Sequence, residues 1–438
     1  MRKLPQTRTE SEFADFKAPY TPQQALVEAN RCLFCHDAPC ITACPTAIDI
    51  PQFIRKIATG NVHGSAKTIF ASNILGMSCA RVCPVEVLCV GSCVYNEMGV
   101  PPIQIGKLQR YSTDIAYEEG WRYGTAGADT GKSVGLVGAG PASLACAYEL
   151  RLRGHAVTIY EGRDYAGGLN TTGVAPYKML ADRAIEEVEW ITAIGGIEIR
   201  TGVLVGRDVS WADLEAAHDA LFLGLGLGAD KLLRLPGAEL EGIHGAVDYI
   251  ERFKCGSVDL AGIHDAVVLG GGNTAIDCVR ELCGLGVPKV TMVYRGNEGG
   301  MSGYAHEWEA AKVEGAHGLW HRQPVGYVGD GGSIAGVVVA RTDDDRRVVD
   351  GTEHTIDADL VLLAVGQERL SEAATHLEGI ALDWGRIVVD EDGATGRPGV
   401  YAGGDCANGG KEVVNAAAEG KRAAMAIDRF VTGGGAHA

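Results

Sequence analysis

The stretch SVGLVGAGPASLACAYELRLRGHAVTIYE, residues 133–161, combines an apolar strand, a glycine turn, a helix and a second strand. Gly138 permits a tight turn, Gly140 lets the backbone approach a pyrophosphate, and a helix beginning at Pro141 presents free N–H groups and a positive dipole to that phosphate. Glu161 ends the second strand, where a carboxylate can accept hydrogen bonds from a ribose hydroxyl. The stretch predicts a doubly wound α/β domain that binds a dinucleotide. Its candidate cofactor contacts are Gly138, Ala139, Gly140, Pro141, Ala142, Ser143 and Glu161.

The same pattern restarts at Asp265, in DAVVLGGGNTAIDCVRELCGLGVPKVTMVYR, and predicts a second dinucleotide-binding domain. Arg295 stands where the first unit has its acid. An arginine there can accommodate the 2′-phosphate of NADP, whereas a carboxylate favours the free hydroxyl of NAD. The next residues, Gly296 to Glu298, include no second basic side chain, and a single arginine can stack on adenine. We therefore expect NADH, with NADPH as the alternative. The candidate contacts are Gly271, Gly272, Asn273, Thr274, Arg295, Ala364, Val365 and Gly366.

A third element, GVYAGGDCANGGKEVVNAAAEGKRAA, follows a late strand at residues 399–424. It resembles the late flavin-contacting element of flavoproteins with two dinucleotide-binding domains, and YAGGLNTTG, residues 165–173, resembles their other flavin-side loop. The resemblance implies that the first turn binds FAD and the second NAD(P)H. It adds Gly168, Leu169, Gly404 and Asp405 as candidate contacts.

Cysteines divide the chain, since eight of the 13 precede residue 94. We expect a helical, cysteine-rich domain over residues 1–125, in which Thr21 caps a helix that begins at Pro22. An FAD domain over residues 132–244 and 368–438 follows, with an NAD(P)H domain over residues 245–367 inserted in it. The fold class is thus α/β, with a helical domain ahead of two doubly wound domains.

Charge and hydropathy limit the location and the partners. The opening MRKLPQTRTESEFADFK has no secretory apolar core, and no run approaches the ~20 apolar residues of a membrane span. We expect a cytoplasmic protein, where reducing conditions argue against structural disulfides. A net charge of −17 disfavours nucleic acid and anionic membranes as partners.

The spacing of the first cysteines favours iron–sulfur clusters over zinc. Four lie within residues 32–44, with proline next, and four more within residues 79–93. Close triplets with a fourth ligand from elsewhere are typical of 4Fe-4S clusters, whereas zinc sites usually show two separated pairs. A reduced flavin must also pass on its electrons. Cys278 and Cys283 lie about 140° apart around a helix and are expected to pack rather than react.

Several motifs together resemble the small subunit of glutamate synthase and the N-terminal half of dihydropyrimidine dehydrogenase. They are CARVCPVEVLCVGSC (79–93), VGAGPAS (137–143), GGGNTAIDC (270–278) and YAGGD (401–405), and the likeness runs from about Leu26 to Ile427. Within that family the chain is most similar to the electron-input subunit of bacterial NAD-dependent dihydropyrimidine dehydrogenase, the PreT type.

The resemblance implies the cluster ligands. In IGKLQRYSTD, residues 105–114, Gln109 matches a glutamine that ligates iron in dihydropyrimidine dehydrogenase, where the glutamate synthase subunit tends to carry glutamate. From spacing alone Cys79 would be the eighth ligand. The family's flavin-side arginine is Lys178 here. The implied ligands are Cys32, Cys35, Cys40 and Cys93 for one cluster, and Cys44, Cys83, Cys89 and Gln109 for the other.

The leading prediction is an electron-input flavoprotein that takes electrons from NADH through FAD and two 4Fe-4S clusters. A partner subunit in a hetero-oligomer would carry FMN and reduce uracil or thymine, and no side chain of this chain would act as acid or base on that substrate. One alternative is the NADPH-dependent glutamate synthase small subunit. Another is a non-catalytic zinc- and nucleotide-binding module.

Overall fold

The computed structural model describes residues 2–369, 376 and 378–433. Met1, residues 370–375 and 377, and residues 434–438 lie outside the described residues. Those positions belong to the predicted helical domain and to the second segment of the predicted FAD domain.

The first part of the chain is helical. Helix α1 begins at Pro22 because the Thr21 hydroxyl accepts a hydrogen bond from the Gln24 N–H and the Gln24 side chain accepts one from the Thr21 N–H, which confirms the predicted cap. Helix α3 buries residues one turn apart, such as Ile50, Phe53 and Ile54, as an amphipathic helix does. The helices are α1 (Pro22–Arg31), α2 (Pro39–Thr42), α3 (Ile50–Ala58), α4 (Val62–Ser72), α5 (Gly76–Val82) and α6 (Ile105–Glu118), with single 3₁₀ turns at Thr9–Glu12 and Val85–Val87.

The first doubly wound domain has a five-stranded parallel sheet in the order β15-β4-β1-β2-β3. The long last helix packs on α7, and Gly420 allows this approach because a Cβ there would lie 2.0 Å from the Ala142 carbonyl oxygen. The elements before the insertion are β1 (Ser133–Val137), α7 (Pro141–Leu152), β2 (Ala156–Glu161), α8 (Leu169–Thr172), α9 (Ala181–Thr192), β3 (Ile197–Thr201), α10 (Trp211–Ala217) and β4 (Ala220–Leu223). Those after it are β13 (Leu382–Asp383), β14 (Arg386–Ile387), β15 (Val400–Ala402), α14 (Asp405–Asn408) and α15 (Val413–Val431).

The second domain repeats this plan between β4 and β13. Its five parallel strands follow the order β5-β12-β6-β7-β8, and an antiparallel sheet of β11, β10 and β9, which the sequence did not suggest, covers one face. The elements are β5 (Ile243–Gly245), α11 (Ala246–Cys255), β6 (Asp265–Leu269), α12 (Asn273–Gly284), β7 (Lys289–Tyr294), a 3₁₀ turn (Glu298–Gly300), α13 (Ala305–Val313), β8 (His317–Trp320), β9 (Arg322–Asp330), β10 (Ser333–Arg341), β11 (His354–Asp357) and β12 (Leu360–Leu363). Two parallel sheets, one inserted in the other, confirm the predicted fold class. The domain boundaries given above stay a proposal, and the pairing of β5 with β12 would move one of them to Ile243.

Residues 2–20, here called the N-terminal segment, run across all three domains. The Phe16 N–H donates to the Tyr177 carbonyl (3.0 Å) in the first doubly wound domain. The Thr9 N–H donates to the Gly256 carbonyl (3.0 Å) in the second. Asp15 pairs with Arg110 of the helical domain. The segment therefore ties the three domains together.

No helix in the described part of the chain combines the length and the apolar character that crossing a membrane requires.

Candidate functional site

The first glycine turn opens into a cavity of about 540 Å³. Helix α7 begins at this cavity with Gly140 as its N-cap, and no described side chain caps it, so its first N–H groups are free for a phosphate. The wall also includes the ends of β2 and β4 and the start of α15. Twelve of the predicted contacts line it, namely Gly138, Ala139, Gly140, Pro141, Ala142, Glu161, Gly168, Leu169, Lys178, Gly404 and Asp405, and Asn273 of the second domain.

The turn has the close approaches that its glycines predict. Gly138 has a φ of 91°, and a Cβ there would lie 2.4 Å from the Gly224 carbonyl oxygen. A Cβ at Gly140 would meet nothing closer than 3.9 Å, so this face is open to a ligand. Glu161 accepts hydrogen bonds from the N–H groups of Ala139 (2.7 Å) and Arg163 (2.8 Å), which fix its carboxylate beside the turn.

Other polar groups of the same cavity are also suited to a flavin nucleotide. Asn170 lines the cavity, and its buried Oδ1 has no hydrogen-bond partner among the described residues. Asp405 faces the cavity as well, and burial raises the pKa of its carboxyl. A glycine turn, a free helix N-terminus, a ribose-side carboxylate and an unpartnered amide oxygen together fit FAD. Ser143 does not line the cavity, because its hydroxyl lies beneath Gly224, where a Cβ would be 2.1 Å from it.

The second domain closes the same cavity. Lys178 Nζ lies 2.8 Å from Asp277 Oδ1 and 2.9 Å from Glu307 Oε1, both on helices of the second domain. Burial opposes its charge, yet these two carboxylates raise the pKa of Lys178. Tyr304 donates to Glu412 across the same junction (2.6 Å). Sequence reasoning missed these partners, although Asp277 follows Asn273 by one helical turn within a motif already singled out.

The second glycine turn resembles the first in its backbone. Gly270 has a φ of 149°, and a Cβ there would lie 2.3 Å from the Ala364 carbonyl oxygen. Gly272 is the N-cap of α12, and Asn273 Oδ1 accepts the Tyr304 N–H (2.9 Å). The structure places the remaining predicted contacts at the end of β12, at the start of α12 and after β7, and they are Ala364, Val365, Gly366, Thr274 and Arg295.

The outer cysteine set, Cys32, Cys35, Cys40 and Cys93, borders one small cavity of about 30 Å³. Burial, and then the neighbouring Cys32 and Cys93, raise the pKa of Cys40 to about 12. The structure thus brings together the four residues that the resemblance implies for one cluster. Among the described residues, no three His, Cys, Asp or Glu side chains converge closely enough to hold a single metal ion. Four cysteine thiols around one cavity fit the donor set of a 4Fe-4S cluster.

The inner cysteine set, Cys44, Cys83 and Cys89, lies on the side of the flavin cavity. Burial and the neighbouring Cys83 and Cys44 raise the pKa of Cys89. Val82 and Pro84, on either side of Cys83, line the flavin cavity itself. Lys17 donates from Nζ to the Cys83 carbonyl oxygen (3.3 Å). An electron carrier held by this set would therefore adjoin the flavin.

Of the two candidates for the eighth ligand, Cys79 lies in α5 and Gln109 lies in α6, from which it contacts the start of α5. A hydrogen bond with Cys79, followed by burial, raises the pKa of Cys83, and Cys79 Sγ accepts the Asn73 Nδ2–H (3.2 Å). Gln109 is buried and donates from Nε2 to the Gly76 carbonyl oxygen (2.8 Å), which directs its Oε1 away from that carbonyl. The choice of Gln109 stays a prediction.

Comparison with known proteins agrees with this arrangement. Residues 8–121 match the family described as dihydropyrimidine dehydrogenase domain II, 4Fe-4S cluster. Residues 132–420 match the pyridine nucleotide-disulphide oxidoreductase family. The thioredoxin reductase of T. acidophilum shares the fold with a TM-score of 0.55 at 22% identity, over 68% of this chain and 98% of that one.

Two named relatives span almost the whole chain. The glutamate synthase (NADPH) small chain of Escherichia coli K12 is 35% identical over 95% of this chain and 93% of its own length. The NAD-dependent dihydropyrimidine dehydrogenase subunit PreT of the same strain is 34% identical over 94% of this chain and 96% of its own length. Both similarities extend over the helical, cysteine-rich part and both dinucleotide-binding domains, and the chain belongs to the family of FAD- and NAD(P)-dependent iron–sulfur oxidoreductases that includes the glutamate synthase small chain and PreT.

Proposed function

We propose that this oxidoreductase is the electron-input subunit of a pyrimidine-reducing dehydrogenase. It takes electrons from a nicotinamide nucleotide at its inserted domain and delivers them, through FAD and two 4Fe-4S clusters, to an FMN-containing partner that reduces uracil or thymine. Bound FAD supplies the conversion of a two-electron hydride transfer into single-electron steps. The partner and this chain would form a hetero-oligomer.

One observation carries the electron-input role. The flavin cavity is lined both by the second domain, at Asp277 and Glu307, and by Val82 and Pro84, which flank Cys83. The domain that would hold the hydride donor and the residues that flank a cluster ligand therefore both border the cavity that would hold the flavin. Since proximity and orientation govern such transfers, this convergence supports a relay that runs from nucleotide to flavin to inner cluster.

The chain's own residues have positioning roles in this relay. The N-terminus of α7 and Glu161 would hold the adenosine diphosphate half of FAD. Lys178, paired with Asp277 and Glu307, holds the second domain against the cavity. The outer cluster would take Cys32, Cys35, Cys40 and Cys93, and the inner one Cys44, Cys83, Cys89 and Gln109.

The pyrimidine assignment rests on the helical domain. Residues 8–121 match a family whose description names dihydropyrimidine dehydrogenase. In addition, the segment IGKLQRYSTD has Gln109 where the resemblance implies glutamine in dihydropyrimidine dehydrogenase and glutamate in glutamate synthase. The second candidate is a glutamate synthase small subunit. Its support is the similarity, at 35% identity, to a protein of that name.

An anaerobic purification separates the two candidates. The tagged chain is isolated from its own cells with its bound partner, and NADH and NADPH oxidation is followed with uracil, with thymine, or with glutamine plus 2-oxoglutarate. We expect oxidation that depends on the pyrimidine. Oxidation that depends only on 2-oxoglutarate would contradict the pyrimidine assignment. Reduction of ferricyanide by either nucleotide, measured in parallel, tests the flavin relay independently of the partner.

A further inference from the structure

The place where the second domain would meet the adenosine ribose contains an arginine that the sequence does not reveal. Arg295 follows β7, and the residues directly after it are not basic. Arg346, from the turn between β10 and β11, reaches the same place. Its guanidinium carbon lies 5.7 Å from the centre of the Tyr294 ring, beside Arg295 in the chain. Both arginines are exposed to solvent.

Hydrogen bonds hold this turn against the end of β7. Thr342 donates from Oγ1 to the Arg295 carbonyl oxygen (2.7 Å) and from its N–H to the His321 carbonyl oxygen (3.0 Å). The His321 N–H in turn donates to the Gly296 carbonyl oxygen (2.9 Å). The Arg346 N–H closes the turn on the Asp343 carbonyl (2.9 Å). The position of Arg346 relative to Arg295 is thus set by backbone contacts and not by the reach of a long side chain alone.

The Tyr294 ring connects the two arginines to the glycine turn. A Cβ at Gly271 would lie 2.5 Å from this ring, so the turn that would bind the pyrophosphate packs on it. Arg346 also approaches Gly296, two residues after Tyr294, since its Nε lies 3.5 Å from the position of a Cβ on Gly296. A nucleotide with its pyrophosphate at Gly271 and Gly272 would therefore extend its ribose toward Arg295 and Arg346, as in other doubly wound domains.

The charges near these arginines leave both available to an anion. In the part of the chain that the structure describes, neither guanidinium has a carboxylate oxygen within 4.0 Å. The nearby acids are Asp343, Asp344 and Asp345 of the same turn and Glu298 of the adjacent loop. Asp345 lies 3.5 Å from Arg347, and Asp343 accepts the Arg347 N–H (2.8 Å). Glu298 pairs with Lys312 (2.8 Å) and accepts from Trp308 Nε1 (2.7 Å).

We propose that Arg295 and Arg346 form a binding site for a ribose 2′-phosphate and make NADPH the preferred electron donor. The inference rests on the proposed function only in that the second domain binds the nicotinamide nucleotide. It reverses the expectation of NADH, which assumed that Arg295 had no basic neighbour. Two guanidinium groups can donate several charge-assisted hydrogen bonds to one phosphate, whereas a free 2′-hydroxyl gains little from them.

The test measures binding of fragments to the full chain loaded with FAD and clusters. Calorimetric affinities for adenosine 2′,5′-bisphosphate and for AMP are compared in the unchanged protein and in Arg346→Gln, Arg295→Gln and Arg347→Gln. We expect the bisphosphate to bind at least tenfold more tightly than AMP in the unchanged protein. Either Arg346→Gln or Arg295→Gln should reduce that preference by about tenfold, the scale of a lost charge-assisted hydrogen bond, with the AMP affinity retained.

Arg347→Gln is the matched control, because Arg347 is the next residue and pairs with Asp345. It should keep the preference. Equal affinities for the two fragments in the unchanged protein would overturn the proposal, and so would an equal loss in Arg346→Gln and Arg347→Gln. Bleaching of the flavin absorbance by NADH or NADPH distinguishes failure of the 2′-phosphate site from failure of the proposed function. Bleaching without preference for the bisphosphate refutes the 2′-phosphate site alone, whereas no bleaching by either nucleotide refutes the electron-input role.

Discussion

The two glycine turns of this chain share a positive φ at their first glycine and have very different surroundings. Gly138 and Gly270 both have positive φ values, 91° and 149°, and each packs over a carbonyl oxygen of a neighbouring strand end. The first turn opens into a cavity lined by all three domains, and its acid, Glu161, is only 9% exposed. The second ends in the exposed Arg295. We infer that one turn geometry serves an enclosed, resident cofactor in the first domain and a nucleotide that exchanges in the second.

The largest effect should come from removing each turn in its own domain. In Gly138→Val and Gly270→Val the new side chain meets a backbone carbonyl, and the left-handed conformation adds a strain of about 1–3 kcal/mol. We expect Gly138→Val to purify with almost no FAD. Gly270→Val should keep FAD that neither NADH nor NADPH bleaches. The measurement is the flavin-to-protein ratio after desalting, followed by anaerobic titration. Equal FAD loss in both variants would contradict the division of roles.

The next effect concerns the inner cysteine set, Cys44, Cys83 and Cys89, which lies near the first glycine turn. If Gln109 is the eighth ligand, Gln109→Ala loses or alters one of two clusters, whereas Cys79→Ser keeps both. Iron and acid-labile sulfide contents, with the electron paramagnetic resonance spectrum of the reduced protein, report the outcome. The reverse pattern, with a cluster lost only in Cys79→Ser, would show that the eighth ligand is Cys79, as cysteine spacing predicts, and not Gln109, as the family resemblance implies.

A substitution at Lys178 tests the contact between the first dinucleotide-binding domain and the second. Lys178→Met leaves the carboxylates of Asp277 and Glu307 without their cation at the junction. We expect the rate of flavin reduction by the nucleotide to fall by roughly tenfold or more, because even a small displacement of the donor from the flavin slows hydride transfer. FAD content should change little. Lys178→Arg, which keeps the charge, is the control, and an unchanged rate in Lys178→Met would show that other contacts hold the domains.

The smallest effect is a pH dependence of stability at another contact between these two domains. Lys254 of α11 donates to the carbonyl oxygens of Val174 (2.7 Å) and Met179 (2.7 Å) in the first domain. Burial lowers its pKa from 10.5 to about 8. Between these two values the unfolded chain binds more protons at this site than the folded chain, so the contribution of Lys254 to stability rises with pH and is constant below about pH 8.

Lys254→Met removes this slope. From pH 8 to pH 10 the thermal midpoint of the unchanged protein should therefore rise relative to that of the variant. The expected relative rise is roughly 2–4 °C. A difference that stays constant with pH would mean that Lys254 titrates normally in the folded protein.

Local chemistry was readable in the sequence, and tertiary proximity was not. The turns at Gly138 and Gly270 were found because glycines, strand and helix are contiguous there. The cysteine spacing indicated iron–sulfur clusters, but the grouping of Cys93 with Cys32, Cys35 and Cys40 came from the family resemblance, since Cys93 lies far along the chain from the other three. Arg346 was missed because a hairpin carries it to Arg295 from elsewhere in the chain. The helix turns the side chain of Ser143 under Gly224, which a linear motif does not show, and its contact with a cofactor stays a prediction.

The same limit applies to the partners of Lys178. A lysine in place of the family's arginine was noticed, but Asp277 and Glu307 lie in another domain, and nothing in the linear order joins the three. The antiparallel sheet of β9 to β11 was not anticipated either, since no motif for nucleotide binding runs through it. It is nonetheless the element that supplies Arg346.

The N-terminal segment has a consequence for the order of folding. During synthesis, residues 2–20 emerge before the residues they bind, because Tyr177 and Gly256 come much later in the chain. The helical domain and the two nucleotide domains can form their own cores first. The contact of Thr9 with Gly256 can form only after that part of the second domain has been synthesised, so the N-terminal segment cannot join all three domains before then.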